Sequence, residues 1–138
     1  MNELLVFALA DREYGVDVTC VREIDRLVPI TPVPRAPAYV EGVVNLHGQL
    51  IPVVNLCARL AIAQTPATKA SRIVVAEVNA RRVGMLVDAV TEVVRVPIER
   101  IEKRDGAFTA GIAQLDERPI ALLDVSKVLA LHDAKENA

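Results

Sequence analysis

Residues 42–60 read GVVNLHGQLIPVVNLCARL, and residues 111–129 read GIAQLDERPIALLDVSKVL. Laid over each other at an offset of 69, they share Gly42/Gly111, Leu46/Leu115, Ile51/Ile120 and Leu60/Leu129. Just upstream, Tyr39 and Phe108 keep an aromatic ring at the same step. The same offset, carried along the whole chain, aligns Gly15 with Gly84, Val18 with Val87, Val21 with Val90 and Glu23 with Glu92, and gives 14 identities in 69 pairs. Ungapped self-similarity over such a length marks an internal duplication. Two copies of one small fold are expected: a first β-barrel over 1–63, a junction at 64–71 (QTPATKAS), a second β-barrel over 72–131 and a tail at 132–138. Exchange of terminal strands between the halves is left open.

Each copy patterns as β. ELLVFAL at 3–9 is an apolar run, Asp11-Arg12-Glu13 reads as a turn, and Tyr14 to Val18 alternates with period two. Val21–Leu27 reads as a further strand, and Pro29, Pro32, Pro34 and Pro37 make 28–38 an extended loop. Val40–Leu46 and Leu50–Leu56 form a hairpin through His47-Gly48-Gln49, where glycine reaches positive φ without strain. The second copy repeats the plan at 72–78, 83–88, 90–96, 108–115 and 119–125. Short helices are expected at 57–63 and at 126–131, the latter with Ser126 as N-cap. Five short strands per copy suit a small, partly open barrel. A lone unit of this size buries only roughly 60% of its unfolded surface, so the copies should pack together with a groove at their seam.

Composition narrows function. The chain has 138 residues, 52% hydrophobic and 25% charged, enough for a core. Net charge is −2, aromatics are 3% and Trp is absent, which disfavours nucleic acid and anionic lipid as partners. Cys20 and Cys57 are not spaced as a metal or redox pair; two reduced thiols are expected, with a disulfide left open. The start MNELLVFALADRE has no basic n-region, and charges interrupt every apolar run, so a cytoplasmic protein without membrane insertion is expected. Phosphate-loop, dinucleotide, zincin and nucleophile-elbow motifs are missing. His132 falls in the tail, and His47 has no further ligands close by along the chain, so no catalytic, cofactor or metal site is expected. Glu23 and Glu92 invite comparison with a hydrolytic carboxylate pair, but no third group accompanies them; strand-edge or docking positions suit them better. Asp88 and Asp124 end apolar runs, as turn or cap residues do. Gly15, Gly42, Gly84 and Gly111 recur for backbone reasons.

Several runs together resemble one family. Glu13-Tyr14-Gly15-Val16-Asp17-Val18 with Val21-Arg22-Glu23-Ile24, then Pro37-Ala38-Tyr39-Val40-Glu41-Gly42-Val43-Val44-Asn45-Leu46 running on through His47-Gly48-Gln49-Leu50-Ile51-Pro52-Val53-Val54, are similar to bacterial chemotaxis coupling proteins of the CheW family. Val83-Gly84-Met85-Leu86-Val87-Asp88-Ala89-Val90 with Glu92-Val93 resembles the family's second-half signature. The resemblance implies an all-β fold: two pseudo-symmetric five-stranded SH3-like β-barrels packed together, with short helices at the ends of each half. It implies a non-enzymatic adaptor between methyl-accepting chemoreceptor tip helices and the regulatory domain of a CheA-type histidine kinase, in chemotaxis or pilus motility, recruited to receptor arrays. A related reading is an interaction module that localises a motility component without a kinase. On this reading the partner-binding residues are Val21, Glu23, Ile24, Gly42, Asn45, Leu46, His47, Gly48, Val90, Glu92 and Val93. Val21, Ile24, Val90 and Val93 would line the groove, with Glu23 at its rim. Three positions depart from the family pattern: His47 stands where Arg is usual, Asn55 where Asp is usual, and Cys57 where Arg is frequent.

Overall fold

The computed structural model describes residues 2–130. In chain order the strands are β1 (Asn2–Leu9), β2 (Arg12–Asp17), β3 (Val21–Arg26), β4 (Val40–Leu46) and β5 (Gln49–Asn55), followed by the single-turn helix α1 (Leu56–Arg59). The second copy gives β6 (Arg72–Val78), β7 (Arg81–Val87), β8 (Ala89–Val96), β9 (Ile101–Lys103), β10 (Thr109–Leu115), β11 (Arg118–Leu123) and α2 (Val125–Val128). Short 3-10 turns at Val18–Cys20 and Ile98–Arg100 lie outside the expected plan, as does β9. Arg12 and Glu13, expected in a turn, begin β2; the turn falls at Ala10-Asp11, with Ala10 at φ +54°. Tail residues 132–138, His132 among them, and Leu131 at the end of the expected helix lie outside the described residues.

Hydrogen bonding does not follow the two halves. One sheet has the order β8-β1-β2-β11-β10-β9 and the other β3-β6-β7-β5-β4. β1 and β2, from the stretch read as the first barrel (1–63), join the second half's strands, while β6 and β7, from 72–131, join β3, β4 and β5, an exchange of terminal strands that the sequence leaves open. The connection between β7 and β8 explains why. Only Asp88 separates them. Pairing β8 to the far edge of β6, within its own half, would require crossing two strand spacings, about 10 Å. Two Cα steps span at most about 7 Å. The chain instead steps directly onto β1, where the Asp88 amide donates to the Ala8 carbonyl at 3.1 Å.

The duplication is kept in three dimensions, pair by pair. Leu4 lies opposite Val94 on β1 and β8, and its repeat mate Ile73 lies opposite Asp25 on β6 and β3. Parallel contacts join Leu122 to Gly15 and Val53 to Gly84 at the same offset. Register shifts recur too, between Glu92 and Val90 and between Val21 and Glu23. Both sheets close on themselves. β8 turns through residues 98–100 into β9, at the opposite edge. In the other sheet the Pro-rich loop does this work: Thr31 exchanges two 2.9 Å backbone hydrogen bonds with Val43 on β4.

Closure sets the core. β1 places Leu4 and Val6 inside one barrel, with Val96, Ala113, Ile120 and Leu122. Its alternate residues Leu5, Phe7 and Leu9 face the seam, against Val74, Ala76, Met85, Leu123 and Val128. β6 does the same, with Ile73 and Val75 in the other barrel beside Val44, Ile51 and Val53. Strands buried on both faces need unbroken apolar runs rather than alternation, which is what LLVFAL and IVVA supply. Truncating a seam side chain such as Phe7 should cost about 3–5 kcal/mol.

The two helices are capped by repeat-related residues. The Asn55 side chain accepts from the Ala58 amide, and the Asp124 side chain from the Ser126 and Lys127 amides. Asp124 is thus the N-cap expected at Ser126. The Ser126 hydroxyl and these amides hold the Asp124 carboxyl below the usual carboxylate range. Between the helices Arg59 lies over both repeat-related rings, 4.2 Å from the Tyr39 centroid and 4.9 Å from that of Phe108. Its Nε donates to the Val128 carbonyl at 2.9 Å, so one side chain pins the two ends of the seam.

Gly42 and Gly48 separate close approach from turn geometry. A Cβ on Gly42 would meet the Thr31 carbonyl oxygen at 2.1 Å, at φ +148°. A Cβ on Gly48, at φ +82°, meets nothing within 4 Å. Gly42→Ala should therefore destabilise by about 3 kcal/mol or more, and Gly48→Ala by about 1 kcal/mol, read as urea midpoints at unchanged slope.

Candidate docking surface

β3 and β8 are repeat-related, and each lies at an edge in the hydrogen-bonding order of its sheet. β3 alternates in burial: Val21, Glu23 and Asp25 are half-buried, whereas Arg22, Ile24 and Arg26 face outward. The four apolar residues expected in one groove divide accordingly. Val21 and Val90 pack against the seam core. Ile24 and Val93 stand out from the surface, 43% and 54% exposed. Three further apolar side chains are exposed that the sequence reading did not single out: Leu50 at 72%, Ile98 at 63% and Val33. Leu50 opens the apolar run read as the second arm of the hairpin; it lies opposite Asn45 next to the turn, where it is exposed.

That hairpin carries most of the other expected contacts, and several are structural. His47 and Gly48 both have positive φ, +54° and +82°, the signature of a type I′ turn. The Asn45 side chain accepts from the Gly48 amide at 3.1 Å and so braces the turn. Leu46 is buried in the barrel interior, and Gly42 is packed against Thr31. His47 projects outward and reaches Glu23 across the barrel closure, Nε2 to Oε2 at 3.0 Å. Asp25 lies beside them, its Oδ2 buried without a hydrogen-bond partner. Burial, and then the neighbouring Glu23 carboxylate, push the Asp25 carboxyl above its ordinary range. His47, without ligands nearby in sequence, thus gains two acidic neighbours through the fold.

Glu92 meets a different partner. Arg118 of the β10–β11 hairpin donates to Glu92 at 2.8 Å and to Glu13 at 2.9 and 2.7 Å. The bidentate Arg118 fork holds the Glu13 carboxyl below the usual range. Glu23 and Glu92 therefore lie in different sheets, each satisfied by its own basic partner, and do not form a carboxylate pair. Next to Arg118 an open cleft of about 500 Å³ follows the β2–β11 contact, lined by Tyr14, Ile112, Pro119 and Ala121 among others.

Asn55 and Cys57, the other two positions where the resemblance implies a different residue, fit their surroundings. The Asn55 amide donates to Glu41 Oε1 at 2.7 Å; an Asp there would oppose a second carboxylate. Cys57 is 4% exposed, in a space where a guanidinium would be buried. Burial, and then Asp88, raise its thiol above the ordinary range, so it is an unreactive core residue. Asp88 itself accepts from the Ala10 amide at 2.7 Å and from Thr65 Oγ1 at 2.8 Å, tying the junction to β1's turn.

Comparison with known proteins gives a consistent result. The family model described as CheW-like domain matches residues 3–132. A chemotaxis protein CheW of Rhizobium meliloti is 38% identical over 134 residues, covering 92% of this chain and 86% of the relative. A chemotaxis protein CheW of Thermotoga maritima is 34% identical, covering 97% and 91% respectively. The crystal structure of scaffolding protein TtCheW from Thermoanaerobacter tengcongensis superimposes with a TM-score of 0.86 at 36% identity, covering 89% of this chain and 88% of that one.

The raised Asp25 carboxyl has a consequence for stability. An acid whose folded pKa exceeds its unfolded one holds a proton that the unfolded chain has lost, so stability falls as pH rises through that window and stays lowered above it. Asp25→Asn should therefore raise the melting temperature by a few degrees at pH 7–8 and change it little near pH 3, measured by thermal unfolding across pH.

Proposed function

The chain belongs to the CheW family, and we propose that its exposed Ile24 and Val93 are the apolar anchors through which it engages receptor helices. Family membership makes it a non-enzymatic scaffold, a coupling adaptor of chemotaxis signalling. No helix among the described residues is long and apolar enough to cross a membrane.

The observation that carries the proposal is the repeat-related exposure of these two side chains on β3 and β8. Their recurrence at equivalent positions on the edge strands of both sheets is where we place the contact. Each is flanked by a glutamate held in place, Glu23 by His47 and Glu92 by Arg118. Apolar anchors bordered by fixed charge suit an amphipathic helix: the anchors supply affinity, and the rim supplies orientation and association rate. Val21 and Val90 support these strands from beneath, and Asn45, Gly48 and Gly42 shape the hairpin that presents His47. The kinase regulatory domain is proposed to pack barrel to barrel on the same molecule. Such signalling contacts are small, below roughly 1,200 Å², and gain occupancy from repetition in an array.

Titration of the purified protein with receptor-tip fragments and with the kinase regulatory domain from the same genome tests this. Micromolar binding is expected, with Ile24→Asp and Val93→Asp each weakening receptor binding about tenfold or more, or about 1.4 kcal/mol. Absence of binding to either partner at high micromolar concentration would refute the adaptor partnership. Undiminished receptor binding in both variants would move the contact elsewhere.

A further inference from the structure

We propose that Glu23, Asp25 and His47 form a binding site for one divalent transition-metal cation of the zinc class. One donor atom from each lies within 4.8 Å of the other two. An imidazole nitrogen with two carboxylate oxygens suits zinc and its neighbours in the first transition row; magnesium and calcium favour oxygen alone. His47 Nε2 and Glu23 Oε2 are 3.0 Å apart. Two ligands on one tetrahedral metal, with bonds of about 2.0–2.2 Å, sit about 3.3 Å apart, so a cation can replace the hydrogen now shared between them with little movement.

Placement follows from the fold. Period two puts Glu23 and Asp25 on one face of β3, while the positive-φ turn holds His47 outside the hairpin. The other barrel shows what this corner lacks. There, Glu92 is neutralised by Arg118. Gln49 occupies the position equivalent to Arg118, and Asp25 replaces Val94. At these equivalent positions this corner thus has a carboxylate where the other has valine, an imidazole where the other has Asp116, and no counterpart of Arg118. Among the described residues Glu23 pairs only with His47, Asp25 pairs with no basic side chain, and Asp25 Oδ2 is the one buried side-chain oxygen without a partner. A cation would supply positive charge beside these two carboxylates. It would also tie β3 to the β4–β5 hairpin, where the sheet closes, and leave a coordination position for water.

This proposal is independent of helix docking, because it is read on the isolated protein. ZnCl2 is titrated calorimetrically into the full chain after EDTA treatment, with MgCl2 as control. One equivalent of zinc should bind with a micromolar Kd, and the melting temperature should rise on the order of 5–10 °C at a hundredfold excess over Kd. His47→Ala and Asp25→Asn, shown to be folded by circular dichroism, should each weaken binding at least about tenfold. Asp25→Asn should stabilise the metal-free protein and still lose the zinc-dependent rise, which separates a metal ligand from a residue that merely shares a proton. Cys20→Ser and His132→Ala should bind as the parent does. No saturable binding up to about 1 mM, undiminished binding in His47→Ala, or loss of binding in Cys20→Ser or His132→Ala would each overturn the site.

Discussion

Backbone pairing between β1 and β8, and its mirror between β3 and β6, is the constraint on which everything else rests. Each ladder joins one repeat to the other, so neither half has a complete sheet of its own. Because β1 and β6 are central strands, each buries one row of side chains inside its barrel and another in the seam. Two small barrels, each marginal alone, thereby share the largest of the three apolar clusters. The exposed edge residues sit on the outer members of these same ladders, so the surface that meets partners is positioned by the interaction that unites the halves.

Much of this was legible from residues. The 69-residue offset revealed the duplication, and the spacing of Gly42, Leu46, Ile51 and Leu60 with their mates gave equivalent strands and helices in the right order. The exchange was not legible from patterning, for a physical reason. Leu4 and Val6 on β1 match Ile73 and Val75 on β6, so β8 could pair with either in the same register. Connection length breaks that tie: a single residue, Asp88, between β7 and β8 was the available signal. β9 was missed because three residues carry too little periodicity. Ser126 was taken for the N-cap because the strand before it was drawn two residues too long, over Asp124.

On β3 and β8 the four residues that the sequence reading set in one groove divide by face. Val21 and Val90 were placed beside Ile24 and Val93 in one groove, whereas alternation across a bulged edge sends the first pair inward and the second out. The grouping of Glu23, Asp25 and His47 was invisible because His47 lies 22 positions after Asp25, and only closure of the barrel through Thr31 and Val43 brings the hairpin over β3. Replacing the family's usual arginine with His47 keeps a partner for Glu23. It exchanges a guanidinium, which cannot ligate a cation, for an imidazole whose ring nitrogen can, and that changes what the corner can hold.

Exchange also bears on how the molecule comes into being. As the polypeptide leaves the ribosome, β1 and β2 emerge well before their partners: β1's outer partner begins at Ala89 and β2's parallel neighbour at Arg118. The nascent β1 segment must keep LLVFAL from straying until β8 and β11 have been translated, and a message interrupted before them yields a product with unsatisfied strand edges rather than a smaller working module.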